Sequence, residues 1–225
     1  PAAEAAVIEF AGWASTAKPA EVVGLSDHAA IRPQWSQVAD QLLPEAKLDE
    51  IRSRLQNDHR VAIRIPVRVR PKFNGAVQSM SFFTVYLARC RDSGHRPIFL
   101  RDGIVITDVR SPLISGTRSL VVVEDPPLAG LLGDAEGVNH TQWQKDSPKF
   151  HGRYVHGPDT IKFVTRSVFE IMQRLHAAET KGDPNLLLDI FFLPADEGLI
   201  ETRKKLEPGK PDVPAEPALP QPPSK

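Results

Sequence analysis

The sequence predicts an α+β protein with a mainly antiparallel sheet of four or five strands over residues 60–124, packed by helices drawn from both ends of the chain. Three observations predict it. From Arg60 to Arg70, Val61, Ile63, Ile65, Val67 and Val69 alternate with Arg60, Ala62, Arg64, Pro66, Arg68 and Arg70, the period-2 pattern of a strand with one buried face. Asn74-Gly75 and Asp102-Gly103 then supply turn dipeptides between apolar runs, as antiparallel hairpins require. From Asp159, Ile161, Val164, Val168, Ile171 and Leu175 recur at three and four residues, which places one apolar stripe on a long helix.

The elements follow in order. A short helix is expected near residues 4–13, then an irregular connector through Pro19 and Pro33. Trp35, Val38, Ala39 and Leu42 make a helical stripe that Pro44 interrupts, and Leu48, Ile51 and Leu55 continue on a second helix ending near Asn57. The first strand covers about 60–70, and its Pro66 argues for an edge or a bulge. The second covers about 78–91, with Phe83, Val85 and Leu87 on one face and Phe82, Thr84 and Tyr86 on the other. Residues 98–101 and 104–107 form a hairpin, and Leu120–Val123 is a continuous aliphatic strand suited to burial on both faces. Asp125 is placed to cap a helix opened by Pro126 and Pro127 and closed by Gly133. The long helix runs to about Lys181, with its stripe expected on the aliphatic face of the sheet. Asn185–Leu193 is apolar almost all round, a pattern that fits a buried helix or a strand equally.

This divides the chain into an N-terminal helical segment (1–58), an α+β core (59–200) and a proline-rich tail (201–225). In the tail, Pro208, Pro211, Pro214, Pro217, Pro220 and Pro223 recur every third residue. Polyproline II has three residues per turn, so these prolines would share one edge, available to an aromatic groove on another protein. The chain opens at Pro1, and the expectation is that a further domain precedes it, with residues 1–58 as its connector.

Composition narrows the function classes. The net charge is zero over 225 residues, yet residues 60–118 hold eleven Lys and Arg against three Asp and Glu. The sheet is a basic island in an acidic protein, and such islands attract phosphate, nucleic acid or an acidic partner. Cys90 is the only cysteine, which excludes an intrachain disulfide and a cysteine-based zinc site and fits a reducing cytoplasm. No apolar run reaches the roughly 18–20 residues of a membrane helix, so no membrane partner is expected.

Several motifs bear on chemistry. Arg60, Arg64, Arg68 and Arg70 share one face of the first strand, and Tyr86 and Phe82 lie on the next strand to stack bases, so this face is a candidate site for nucleic acid or another anion. His140, His151 and His156 cluster in sequence near Asp134, Glu136 and Asp146. That set could furnish a zinc-type metalloenzyme, although no two of the histidines stand four apart as helical ligands do. Gly130-Leu-Leu-Gly-Asp-Ala-Glu-Gly137 lacks the Lys-Ser/Thr of a phosphate loop. No G-x-S-x-G nucleophile elbow occurs. No catalytic constellation stands out, and no cofactor is expected within this chain.

The stretch Phe99-Leu-Arg-Asp-Gly-Ile-Val-Ile-Thr-Asp-Val-Arg-Ser-Pro-Leu-Ile-Ser-Gly-Thr-Arg118 places an apolar strand before a Pro-Leu…Ser…Arg loop. These 20 or so residues resemble the middle, transducer segment of GHKL-class ATPases such as the large heat-shock chaperone and MutL-like proteins. The resemblance implies that Arg118 reaches the terminal phosphate of a nucleotide, and Arg110 has no counterpart. It also implies that ATP and Mg²⁺ are held by a preceding ATPase domain, because the Asn-bearing helix and the Asp-x-Gly-x-Gly turn of that domain are not in this chain. A further departure stands beside it: in the chaperone a helix follows the loop, whereas Leu120–Val123 here reads as strand. The functional expectation is therefore a non-catalytic C-terminal transducer or interaction region of a larger GHKL-type ATP-binding protein. The alternatives are a nucleic-acid-binding module on the basic sheet face and a histidine-based metalloenzyme.

Overall fold

The computed structural model describes residues 2–17, 22–25, 32–73, 77–90, 94–137 and 139–177. The tail, the 185–193 run and the Asn74-Gly75 turn lie outside the described residues. In chain order the elements are α1 (Ala2–Thr16), β1 (Val22–Gly24), α2 (Trp35–Leu42), α3 (Glu45–Gln56), β2 (Val61–Val69), β3 (Ser79–Arg89), β4 (Ile98–Arg101), β5 (Ile104–Ile106), β6 (Thr117–Val123), α4 (Pro126–Asp134) and α5 (Gly157–Ala177).

The class is α+β, but the sheet corrects the expectation of four or five mainly antiparallel strands. It is a six-stranded mixed sheet in the order β1-β2-β3-β6-β4-β5. β1 runs parallel to β2, and β4 runs parallel to β6. The β2–β3, β3–β6 and β4–β5 pairs are antiparallel. The extra strand comes from Val22–Gly24, a segment read from sequence as irregular connector. Three residues are too few to show a period, and their pairing partners, Ala62 to Arg64, lie some forty residues away. β6 enters between β3 and β4, so the hairpin β4–β5 is pushed to the far edge and β6 becomes an inner strand.

The two faces of β2 separate as the alternation predicts. Val61, Ile63, Ile65, Val67 and Val69 are buried in one cluster with Phe83, Val85 and Leu87 of β3 and the stripe Ile161, Val164, Val168, Ile171 and Leu175 of α5. Each such side chain contributes roughly 1.5–3 kcal/mol on burial, so this is the main apolar contact among the described residues. α2, α3 and α4 add to the same face: Trp35 stacks on Phe163 at 4.5 Å between ring centroids, and its indole N–H donates to the Phe163 carbonyl at 2.8 Å. The second face is covered in part by α1, whose Phe10 and Ala14 bury Leu120 against Tyr86, Ile98, Leu100 and Val122.

Local details follow from residue chemistry. Asp102 (φ 46°) and Gly103 (φ 78°) both sit left-handed, as a two-residue hairpin turn demands. Pro66 lies where β1 has ended: β2 is paired on that side only from Ala62 to Arg64, so the missing N–H falls on an edge. The capping of α4 differs from expectation. Asp125 makes no side-chain cap to its helix; Ser81 of β3 donates to the Asp125 carboxylate while its Oγ accepts the Leu128 N–H at 3.2 Å. With Pro126 and Pro127 lacking N–H groups, Leu128 carries the first free donor of the helix, and a strand hydroxyl satisfies it.

Candidate anion-binding face

The candidate residues lie on the second face of the sheet. The register puts Arg64 beside Thr84, Pro66 beside Phe82 and Arg68 beside Met80, and Ala88 beside Arg118 and Tyr86 beside Leu120. Arg118 thus belongs to the same face as the arginine row, on the inner strand β6, where it is half-buried. Along β3 the Met80 and Ala88 ends of this face are about 27 Å apart at the usual strand rise.

The members of the row differ. Arg60 forms an ion pair with Glu9 of α1 and lies over the Trp13 ring at 5.6 Å. Arg64 is exposed, its guanidinium carbon over the Phe82 ring at 4.4 Å from the centroid. Arg68 is half-buried, with an Nε that has no hydrogen-bond partner. Arg70 sits just beyond β2, and its carbonyl accepts the Val155 N–H at 2.8 Å. Among the described residues, Arg64, Arg68 and Arg70 have no carboxylate within ion-pair distance. Tyr86 is half-buried, with the Trp13 ring edge-on to it at 5.5 Å. Burial, and then the negative charge of Glu124, push its phenol above the ordinary tyrosine range, against the pull of Arg64 and of the Thr84 hydrogen bond. The structure therefore divides the row. Arg60 and Tyr86 are engaged with α1, while Arg64, Arg68 and Arg70 occupy the end of the face beyond it.

The histidines do not gather. His140 Nδ1 lies 2.7 Å from Glu136 Oε2, His156 Nδ1 lies 3.7 Å from Asp159, and His151 and Asp146 are exposed. Asp134 accepts from the Tyr154 hydroxyl at 2.7 Å and pairs with Arg153 at 3.3 Å. Among the described residues no group of three His, Cys, Asp or Glu is arranged to hold a metal ion.

The strongest polar cluster was not anticipated. Glu136, following α4, has a side chain only 1% exposed and accepts from both Nε and Nη2 of Arg101 at the end of β4. His140 and the Trp143 indole (3.4 Å) also face it, and Arg101 reaches Asp102 at 2.8 Å. Burial alone would raise the Glu136 carboxyl, but the hydrogen bonds from Arg101 and His140 and the charge of Arg101 outweigh it and hold the group below the usual carboxylate range. Arg101 also packs on Gly133, where a Cβ would come within 3.3 Å of its Nη1. This glycine, read as a helix terminator, makes room for a guanidinium. The cluster ties the hairpin edge to the end of α4 on the core side of the sheet.

No helix among the described residues is long and apolar enough to cross a membrane. In comparison with known proteins, the chain matches no family model, no curated protein and no solved structure.

Proposed function

We propose that this chain is a non-catalytic transducer and interaction region that works with a GHKL-type ATP-binding domain on a preceding part of its polypeptide. The observation that supports the reading is the placement of the stretch from Phe99 to Arg118. β4, β5 and the following loop return the chain to β6, an inner strand, where Arg118 pairs with Ala88 of β3 just ahead of the β4-paired stretch from Leu120 to Val123, and lies on the second face. A cation anchored in an inner strand keeps its position while a neighbouring domain moves. A guanidinium matches a phosphate bidentately. ATP and Mg²⁺ would be bound by the preceding domain, with Arg118 as the sensor of the terminal phosphate.

The test uses the polypeptide of the complete reading frame around Pro1. It should hydrolyse ATP, and Arg118→Ala should lower turnover by about 10²-fold or more, the scale of losing one preorganised charge at a transferring phosphoryl group, with an unchanged melting temperature. Wild-type turnover in a folded Arg118→Ala protein refutes the reading, as does a full polypeptide that binds no ATP.

A further inference from the structure

We propose that the end of the second sheet face beyond α1, built on β2 and β3 between Arg64 and Met80, is a binding platform for single-stranded nucleic acid. The site is independent of the ATP-sensing role, which uses Arg118 at the other end of β3.

Four observations carry it. First, the surface is partly open: β1 pairs with β2 only as far as Arg64, the apolar cluster under α1 involves Tyr86, Ala88 and Leu120 rather than Phe82 or Met80, Arg64 and Met80 are exposed, and Phe82 and Arg68 are half-buried. Second, it is positive without internal compensation. Arg64, Arg68 and Arg70 have no carboxylate partner among the described residues, Lys72 is exposed beside them, and the Arg68 Nε is a buried donor with no acceptor. Asp125, which borders the same depression as Arg64 and Phe82, accepts from Ser81.

Third, the platform offers planes. The Arg64 guanidinium carbon lies over Phe82, 4.4 Å from the ring centroid, and an exposed guanidinium offers a delocalised cation on which a base can stack. A depression of about 370 Å³ beside it is bordered by Gly24, Arg64, Pro66, Met80, Phe82 and Asp125. Fourth, exposed apolar side chains lie at this end: Met80, 50% exposed, shares the face with Arg68, Phe73 (61%) follows the end of β2 and Val77 (78%) precedes the start of β3. Cations alone would suit any polyanion. Cations beside exposed aromatic and aliphatic side chains suit bases whose faces are free, and a duplex hides those faces. No described helix projects from this surface toward a major groove, which also favours the single strand.

The experiment is fluorescence anisotropy on the 225-residue chain with labelled oligo-dT, the duplex of a mixed sequence, and vesicles of phosphatidylserine and phosphatidylcholine as a second polyanionic surface. Binding to oligo-dT should weaken linearly in log–log terms with salt, with a slope of about −0.7 per phosphate contact. Arg64→Gln/Arg68→Gln should lower affinity by about tenfold and flatten that slope, and Phe73→Ala should lower affinity severalfold with the slope unchanged, because stacking releases no counterions. Glutamine keeps the stems that pack on the sheet, and circular dichroism verifies the fold. Should the double variant misfold, Arg70→Gln/Lys72→Gln, beyond the strand, is read in the same way. Unchanged oligo-dT affinity in the folded variants overturns the proposal. So does tighter binding to the duplex or to the vesicles than to oligo-dT. Loss of ATP turnover in Arg118→Ala has no bearing on any of these readouts, so the two readings fail separately.

Discussion

Replacing Glu136 by alanine isolates the buried ion pair at the hairpin edge. The wild-type carboxylate is 1% exposed and accepts from two nitrogens of Arg101, whose own side chain is 12% exposed. Removing the acceptor leaves a guanidinium out of water with only Asp102, half-exposed, as its remaining partner, and strands the Trp143 indole N–H. Breaking one side of a buried pair costs about 3–5 kcal/mol. For a chain of this size each kcal/mol moves the melting temperature by about 2–4 °C, so Glu136→Ala should melt about 10 °C below wild type. Glu136→Leu/Arg101→Met should recover much of the loss, because no charge is then left buried. The pH dependence has a definite sign. The folded-state carboxyl is held below its unfolded value, so its stabilisation is present above the ordinary glutamate pKa of about 4.3 and is lost as pH falls through the lower folded value. The gap between wild type and Glu136→Ala should narrow in acid. Urea melts from pH 7 to pH 3 measure this. A Glu136→Ala protein within about 1 kcal/mol of wild type at pH 7, or a gap that widens in acid, would show that the pair contributes nothing.

Two further predictions concern the core and the second tyrosine. Ile65 is fully buried on the α5 side of β2, so Ile65→Asp places a carboxylate in an apolar core and should abolish cooperative unfolding in near-ultraviolet circular dichroism; a folded, soluble Ile65→Asp protein would mean that the faces of β2 are reversed. Tyr154 donates to Asp134 and is partly buried, and burial followed by that hydrogen bond and the Asp134 charge raise its pKa to about 12. Its stabilisation is complete below the ordinary phenol value of about 10 and lost as pH rises through about 12. Of the two tyrosines in the chain, Tyr154 should ionise in that late step, seen as phenolate absorbance, and Tyr154→Phe should remove it; titration of both tyrosines at the ordinary value would refute the Asp134 bond.

Much of the fold was legible because it depends on short-range periodicity. A strand turns over every residue and a helix every 3.6, so the alternation from Val61 to Val69 and the stripe from Ile161 to Leu175 report which side faces the core before any partner is known. Asp102-Gly103 is readable for the same reason, since its left-handed backbone is a demand of two residues on themselves. The candidate site was legible only as a row of arginines on one face. That α1 would take Arg60 through Glu9, 51 residues earlier, and leave Arg64 and Arg68 outside its cover has no local signature. The Arg101–Glu136 pair, 35 residues apart, and the relay of the α4 cap through Ser81, 47 residues from Leu128, are equally invisible to spacing.

From its sequence alone this protein has an aliphatic and a cationic side to one strand, a long helix with a single apolar stripe, and a basic centre in an otherwise acidic chain, because each is a property of neighbouring residues. Tertiary structure decided that the sheet is mixed and six-stranded, that three residues of the supposed connector pair with β2, that β6 inserts between β3 and β4, and which arginines remain exposed. Those outcomes depend on which distant segments compete for the same strand edge or carboxylate, and that competition is settled only when the whole chain is packed together.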